Sequence, residues 1–174
     1  HREHKDILPV LNLPGSIALT NDLKGACTGY DLLVFAVASP FVRQTAKNAS
    51  PYIREGQRIV NVAKGIENDT LCTLRDVILS EIPQADISVL SGPSHAEEVV
   101  IGVPTTVVAG SVKRESAEII QEIFMNERFR VYTSSDIIGI ELGGSIKNVI
   151  ALAAGVIDGM GFGDNTRAAL ITRG

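Results

Sequence analysis

Short apolar runs alternate with helical patterns between Asp31 and Ser135, and this alternation restricts the fold more than any other feature. Five runs have the length and composition of buried strands, covering residues 32–37, 58–63, 87–90, 105–109 and 129–132. Helical patterns separate them, at residues 39–53, 70–82, about 95 onward and 113–124. Strands spaced by single helices are typical of βαβ units, whose strands are buried on both faces. The pattern predicts a doubly wound, mostly parallel α/β sheet.

The strand pattern ends near Ser135, and a helical organisation follows. We expect one long helix over residues 136–159, apolar almost all round, then the glycine-rich loop Gly159–Gly163 and a further helix that reaches Gly174. A helix without a polar face must be surrounded by protein. We therefore expect residues 1–134 to belong to the α/β domain and residues 135–174 to begin an all-helical domain. The apolar stretch Leu142–Ile157 is shorter than the roughly 20 residues that span a bilayer, so we expect a buried helix and no membrane insertion.

Composition excludes several classes of partner. The formal net charge of −4 gives no basic surface for nucleic acid or an anionic membrane. The two cysteines, Cys27 and Cys72, are too few for a disulfide framework, and no His or Cys stands near them at the spacing of a metal site. No secretory hydrophobic region accompanies the charged run His1–Asp6. We expect a protein of a reducing compartment that binds a small molecule and no metal.

Ligand sites in open α/β sheets lie outside the carboxyl ends of the strands. The second predicted strand ends in Val62-Ala63-Lys64-Gly65, which places the Lys64 ammonium where a phosphate or a polar substrate could meet it. Gly65 would let the backbone approach closely. The alternative interpretation is a solvated lysine in a βα loop.

The third predicted strand is followed by Ser94, His95 and Glu97. Ser94 and Glu97 have the spacing of a capping box that opens a helix, and the same helix N-terminus could also receive an anion. The two roles of Ser94 are compatible. Histidine is a common general acid near neutral pH, but a single histidine in a first helical turn is more often a surface or packing residue, so we do not include His95 among the catalytic candidates.

Lys147 lies within a long apolar segment and is the strongest catalytic candidate. Its helical neighbours are Gly143, Gly144, Ala151 and Ala154, which leave a strip almost free of side chains for a backbone, a ligand or a cofactor. Burial on such a helix would lower the pKa of a lysine and make it a general acid or base near neutral pH. The alternative is a lysine whose ammonium reaches water along the surface.

Several long segments share their order and spacing with one known family. They are VAKGIEN at 62–68, LSGPSHAEE at 90–98, RFRVY at 128–132, GIELGGSIKNVIA at 139–151, GFGDN at 161–165 and ALITRG at 169–174. Together they strongly resemble the bacterial-type NAD(P)-dependent glycerol-3-phosphate dehydrogenases. The resemblance implies a Rossmann-type domain, here lacking its first βαβ unit, followed by a helical domain. It also implies the reversible reduction of dihydroxyacetone phosphate to sn-glycerol 3-phosphate with NAD or NADP, in the cytoplasm, for phospholipid synthesis.

The resemblance also assigns roles to individual residues. Lys147 would be the proton acceptor in the alcohol-oxidising direction, and Lys64 would touch both substrate and dinucleotide. Gly92 and Ser94 would contact the substrate, and Ala96 the dinucleotide. Homodimers are common in the family, so a homodimer is implied as the assembly.

Two alternatives to this function stay open from the sequence. The related 6-phosphogluconate and hydroxyisobutyrate dehydrogenases also place a lysine on the first helix after the sheet, although the segments 90–98 and 143–151 argue against them. A non-catalytic binding module is the alternative from another class. Finding a G-x-G-x-x-G strand in the adjoining coding sequence would exclude it.

The resemblance places other parts of the site outside these 174 residues. The glycine-rich pyrophosphate loop would precede His1, and further substrate-binding residues would follow Gly174; no G-x-G-x-x-G follows a strand within the chain. We therefore predict that the 174 residues alone neither bind dinucleotide tightly nor turn over. Calorimetry with NADH and NADPH and a dihydroxyacetone phosphate assay test this, and substantial turnover would contradict it.

Overall fold

A five-stranded sheet with helices on both faces forms the body of the protein, and two helices follow it. The computed structural model describes the backbone of residues 3–4 and 8–173 and the side chains of residues 13–173. The charged run His1–Asp6 lies largely outside these residues. A two-stranded antiparallel hairpin, which the sequence patterns did not predict, precedes the sheet.

Seven strands and seven α-helices make up the described residues. The strands are β1 (Glu3–His4), β2 (Leu8–Asn12), β3 (Leu32–Phe35), β4 (Arg58–Asn61), β5 (Asp86–Ser91), β6 (Thr105–Gly110) and β7 (Phe129–Ser134). The helices are α1 (Leu23–Cys27), α2 (Val42–Ala49), α3 (Leu74–Glu81), α4 (Ala96–Val100), α5 (Arg114–Phe124), α6 (Ile137–Gly159) and α7 (Asp164–Arg173). Two 3₁₀ turns, Ser39–Phe41 and Ser50–Tyr52, flank α2.

The predicted strands and helices are all present, with shifts at their ends. The largest shift is at the start of α3, which was predicted from residue 70 and begins at Leu74. Leu71 has a φ of 58°, which a helix does not allow. Thr73 then caps the helix, since its side-chain oxygen accepts a hydrogen bond from the backbone N–H of Asp76.

The sheet has the order β3-β4-β5-β6-β7, and only the β5–β6 pair is antiparallel. The prediction of a mostly parallel, doubly wound sheet is therefore confirmed. The reversal follows from α4, whose five residues rise only about 7.5 Å. A parallel return needs a helix that runs back along the length of the strand, and α4 is too short for that.

Two clusters of buried side chains fill the spaces between sheet and helices. On one face, α2 and α3 cover side chains of β3, β4 and β5, including Phe35, Ile59 and Ile87. On the other face, Ile120 of α5 packs with Val60 and Val131 of the sheet. Burial on both faces explains why the strands are apolar runs instead of alternating patterns.

Helix α6 crosses the sheet at β5 and β6. It begins after Asp136, whose Oδ1 accepts a hydrogen bond of 2.9 Å from the N–H of Gly139. Gly110 in β6 makes the close packing possible, because a Cβ there would lie 2.7 Å from Cδ1 of Ile140. The first turns of α6 therefore rest directly on the sheet.

The described residues leave most of α6 uncovered, although a helix without a polar face must be surrounded by protein. Only Ile137 and Glu141 are buried, and large apolar side chains along the rest of the helix are exposed, among them Ile138, Leu142, Ile146, Val149, Leu152 and Val156. The helix spans 23 residues, in agreement with the helix predicted over residues 136–159, and its length and composition would suffice to cross a membrane. A helix from the interior of a soluble protein has the same properties.

Gly92 immediately follows β5 and permits its contact with β6. A Cβ at this position would lie 2.7 Å from the carbonyl oxygen of Thr106 and 2.8 Å from Cα of Val107. These are backbone atoms, so the clash can be relieved only by moving the strands apart.

We therefore predict that Gly92→Ala lowers the free energy of unfolding by about 1–3 kcal/mol. The control is Gly143→Ala in α6, where a Cβ enters open space. Because alanine favours a helix more than glycine does, this change should raise the free energy of unfolding by about 0.5–1 kcal/mol. Urea unfolding followed by circular dichroism measures both. Equal stability of the two variants would contradict the prediction.

Candidate functional site

The turn after β4 presents Lys64 at the carboxyl edge of the sheet. Asn61, 1% exposed, organises this turn: its Nδ2 donates to the carbonyl of Ala63 at 3.1 Å, and its Oδ1 accepts from the N–H of Ala63 at 3.2 Å. Gly65 follows with a φ of 143°, and a Cβ there would lie 2.9 Å from Cβ of Ser39. The close backbone approach expected at Gly65 is therefore present, and it is made to the loop after β3.

The Lys64 ammonium joins the carboxyl end of β4 to the loop after β5. Its Nζ donates to the carbonyl oxygen of Gly92 at 2.8 Å and to Oγ of Ser94 at 3.2 Å. The hydroxyl of Ser94 in turn donates to the same carbonyl at 3.3 Å. Three of the residues singled out from the sequence thus form one hydrogen-bonded group.

The predicted capping box at Ser94 and Glu97 is wrong. The residue in the N-cap position of α4 is His95, which makes no side-chain capping bond. Ser94 lies one residue earlier, and its hydroxyl is engaged by Lys64 and Gly92. His95 is an exposed surface residue whose Nδ1 lies 2.9 Å from Oε2 of Glu97.

Two effects lower the pKa of Lys64. The first is burial of its half-buried ammonium, which disfavours the charged form, and the second is the positive charge of Lys147. The influence of Lys147 brings the second candidate lysine into the electrostatic environment of the site.

Gly144 brings α6 against this group. A Cβ at Gly144 would lie 2.6 Å from Oγ of Ser91 and 3.8 Å from Cγ of Lys64. Of the small residues predicted to form a strip on α6, Gly144 thus contacts the carboxyl edge of β5, whereas a Cβ at Gly143 would enter open space. Lys147, three residues after Gly144, is exposed, so among the described residues its ammonium reaches water, which was one of the two alternatives for this lysine.

Ala96 lines a mainly apolar cavity next to the Lys64 group. As the first residue of α4 it lines a volume of about 560 Å³ together with Ser94. The other walls come from α4, the end of α5 and the sheet, with Arg128 as a charged residue among them. Ser94 therefore connects the Lys64 group with the cavity that Ala96 lines.

Sequence patterns missed an ion-pair network that holds the loop after Lys64. Arg43 in α2 donates to both carboxylate oxygens of Glu67, at 2.7 Å each, and to Oε1 of Glu81 at 2.6 Å. Hydrogen bonds from Arg43 and then Thr70 lower the pKa of Glu67 to about 2. The only sequence signal was a carboxylate three residues after Lys64.

Sequence patterns also missed Glu141. This carboxylate is 8% exposed, and its Oε1 accepts a 2.9 Å hydrogen bond from the backbone N–H of Arg75. The signal for it was an acidic residue in an otherwise apolar helix, six residues before Lys147.

The sheet, and the cationic group at its carboxyl edge, define the class of the protein as Rossmann-type α/β. Residues 1–117 match the N-terminus of NAD-dependent glycerol-3-phosphate dehydrogenase, and residues 136–174 match the C-terminus of the same family. The chain belongs to the NAD-dependent glycerol-3-phosphate dehydrogenase family.

Individual relatives agree with this membership. Glycerol-3-phosphate dehydrogenase (NAD(P)+) of Agathobacter rectalis is 60% identical over 172 residues, which cover 99% of this chain and 51% of the relative. The Bacillus subtilis protein of that name is 49% identical over 175 residues, with the same two coverages. A crystal structure of the Coxiella burnetii glycerol-3-phosphate dehydrogenase superposes with a TM-score of 0.86 at 35% identity, covering 99% of this chain and 53% of that one. The chain spans about half the length of the curated relatives it matches.

The charge of Lys147 gives a testable prediction for Lys64. Replacing Lys147 by Gln removes a neighbouring positive charge, so the protonated form of Lys64 becomes more favourable and its pKa should rise. Titration of the Lys64 side chain by NMR, assigned with Lys64→Arg, measures the change. Lys24→Gln in α1 is the control for loss of one positive charge, and an equal rise in both variants would contradict the prediction.

Proposed function

We propose that the full-length protein interconverts dihydroxyacetone phosphate and sn-glycerol 3-phosphate with NAD or NADP as the redox partner. The observation that carries this proposal is the Lys64 group. A half-buried ammonium bonded to the carbonyl of Gly92 and the hydroxyl of Ser94 lies at the carboxyl edge of a Rossmann-type sheet. That edge is where ligands bind in such folds.

Lys64 is suited to bind the substrate. An ammonium has three N–H donors, and two of them are used by Gly92 and Ser94. The third can reach a phosphate or carbonyl oxygen of a substrate. Because the two existing bonds fix the ammonium, little conformational freedom is lost when the third forms.

The residues at this edge also fit a nicotinamide dinucleotide. β3, β4 and β5 present three adjacent carboxyl ends, and Ala96 lines a cavity of about 560 Å³ beside Ser94. When bound, the nicotinamide exchanges a hydride with the carbon that bears the substrate oxygen. The role of Ala96 in this proposal is to contact the dinucleotide, and that of Gly92 and Ser94 is to contact the substrate.

Lys147 performs the proton transfer in this proposal. During reduction its ammonium gives a proton to the substrate oxygen as the carbonyl becomes an alcohol; during oxidation the neutral amine takes that proton back. The packing of Gly144 of α6 against Ser91 and Lys64 supports this role, as does the effect of the Lys147 charge on the pKa of Lys64. Lys64 has a lowered pKa, so the test compares the kcat of the Lys147 variant with that of a Lys64 variant.

We include in the proposal a boundary between residues 134 and 135, which separates part of a dinucleotide-binding domain from the start of a helical substrate-binding domain. The end of β7 at Ser134 and the start of α6 at Ile137 support it. We further propose that α6 is covered by protein and does not cross a membrane. Lys147 lies near its middle, where a charged side chain at the bilayer centre would be costly. A cytoplasmic homodimer serving phospholipid synthesis completes the proposal.

Steady-state kinetics of the full-length protein test the function. Dihydroxyacetone phosphate should be reduced with NADH or NADPH, while 6-phosphogluconate and 3-hydroxyisobutyrate should not be oxidised. Lys147→Ala should lower kcat about 10²- to 10⁴-fold, the usual contribution of a general acid or base.

Lys113→Ala is the matched control, because Lys113 is an exposed lysine whose ammonium lies 3.4 Å from Oδ2 of Asp86 in another part of the molecule. Near-normal turnover by the Lys147 variant would remove this lysine from the role. A large loss of kcat confined to Lys64→Ala would transfer the proton step to Lys64. Oxidation of 6-phosphogluconate or 3-hydroxyisobutyrate in preference would replace the proposed substrate.

A further inference from the structure

Glu141 is a buried carboxylate that the proposed mechanism does not use. It lies on α6 and reaches the N-terminus of α3, where its Oε1 accepts from the N–H of Arg75 at 2.9 Å. The first N–H groups of a helix have no partner within that helix. Glu141 therefore caps α3 from a different element, 66 residues away in the chain.

Several contacts connect the N-terminus of α3 to the loop that follows Lys64. Ile66 pairs with Thr73 across the intervening loop, and the N–H of Glu67 donates to the carbonyl of Cys72 at 3.0 Å. The ion pair between Arg43 and Glu67 fixes the same loop to α2. These contacts link the start of α3 to the turn that carries Lys64.

Glu141 also reaches the Lys64 group through a small cavity. Together with Lys64, Ser91 and Ser145 it lines a volume of about 10 Å³. Its Oε2 is buried and makes no hydrogen bond within the described part of the chain. Burial raises the pKa of Glu141, while hydrogen bonds from the backbone N–H of Arg75 and from the side chain of Thr73 oppose that rise. The charged residues that act on the carboxyl are Arg75 and Asp76 of α3.

We propose that Glu141 is a positioning residue: by joining α6 to the N-terminus of α3, it holds Lys147 in a fixed position relative to Lys64. Glu141, Gly144 and Lys147 follow one another at intervals of three residues along α6. Gly144 packs against Ser91 and Lys64. Glu141 sets the rotation of α6 about its axis. The catalytic consequence of this proposal rests on the proposed function, whereas its structural part does not.

A double-mutant cycle on the pKa of Lys64 tests the structural part. Lys147→Gln should raise that pKa in the wild-type background, and the rise should shrink when Glu141→Asp is also present. Aspartate keeps the negative charge but is one methylene shorter, so it cannot reach Arg75 from the same backbone position. Glu141→Gln keeps an acceptor oxygen at the same reach and should preserve the full rise.

The cycle is measured by NMR on the full-length protein, with circular dichroism to confirm folding of each variant. Glu122→Asp, at an exposed position of α5, is the matched control and should leave the rise unchanged. An undiminished rise in the Glu141→Asp background would overturn the proposal. The proposal would also be overturned if the rise in the pKa of Lys64 were lost equally in the Glu141→Gln and Glu141→Asp backgrounds. The side-chain oxygen that glutamine retains for the N–H of Arg75 would then make no difference.

The catalytic consequence is measured separately. A displacement of about 1 Å can cost on the order of 10²-fold in rate, so Glu141→Asp should lower kcat by about 10- to 100-fold, with a smaller change in KM, and Glu141→Gln should restore most of it. If the wild-type protein does not reduce dihydroxyacetone phosphate, the proposed function is refuted. The double-mutant cycle on the pKa of Lys64 then still tests the structural role of Glu141. If the protein reduces dihydroxyacetone phosphate but the effects of Lys147→Gln and Glu141→Asp on the pKa of Lys64 are additive, the positioning role of Glu141 is refuted and the proposed function is not.

Discussion

The hydrogen bonds of the Lys64 ammonium connect the parts of the site. They tie the turn after β4 to the loop after β5 through the carbonyl of Gly92 and the hydroxyl of Ser94. A half-buried ammonium must find acceptors, because an unpaired charge away from water costs several kcal/mol. That requirement explains why Ser94 turns towards Lys64 instead of capping α4. It also leaves the N-terminus of α4 and Ala96 free to line the neighbouring cavity.

Glycines determine how closely the other elements approach this group. Gly92 allows the backbone of β6 to pass beside the end of β5, and Gly110 and Gly144 allow α6 to lie on the sheet. A side chain at any of these positions would meet an atom within 3 Å. The path of α6 across the sheet therefore depends on residues that have no side chain. That path brings the charge of Lys147 to Lys64.

The predictions from sequence succeeded where one local pattern was sufficient. The apolar runs and helical stripes identified β3 to β7 and α2, α3, α5 and α6, because burial on both faces of a parallel sheet leaves a clear pattern. Lys64 was placed correctly at the carboxyl edge by its position after a strand. Patterns failed where two distant segments compete for one group. The hydroxyl of Ser94 had two partners available, and local spacing could not show that Lys64 would engage it.

Periodicity, and motifs that are continuous in the chain, were sufficient to predict the class of fold, the family and the candidate residues of the proposed chemistry. The surroundings of each charge, in contrast, were set by tertiary packing. That packing left Lys147 exposed among the described residues, which was one of the two alternatives from the sequence. It also buried Glu141 against the start of α3 and lowered the pKa of Lys64. The physical reason is that desolvation and electrostatic contact depend on which elements pack together, and residues far apart in the sequence decide that.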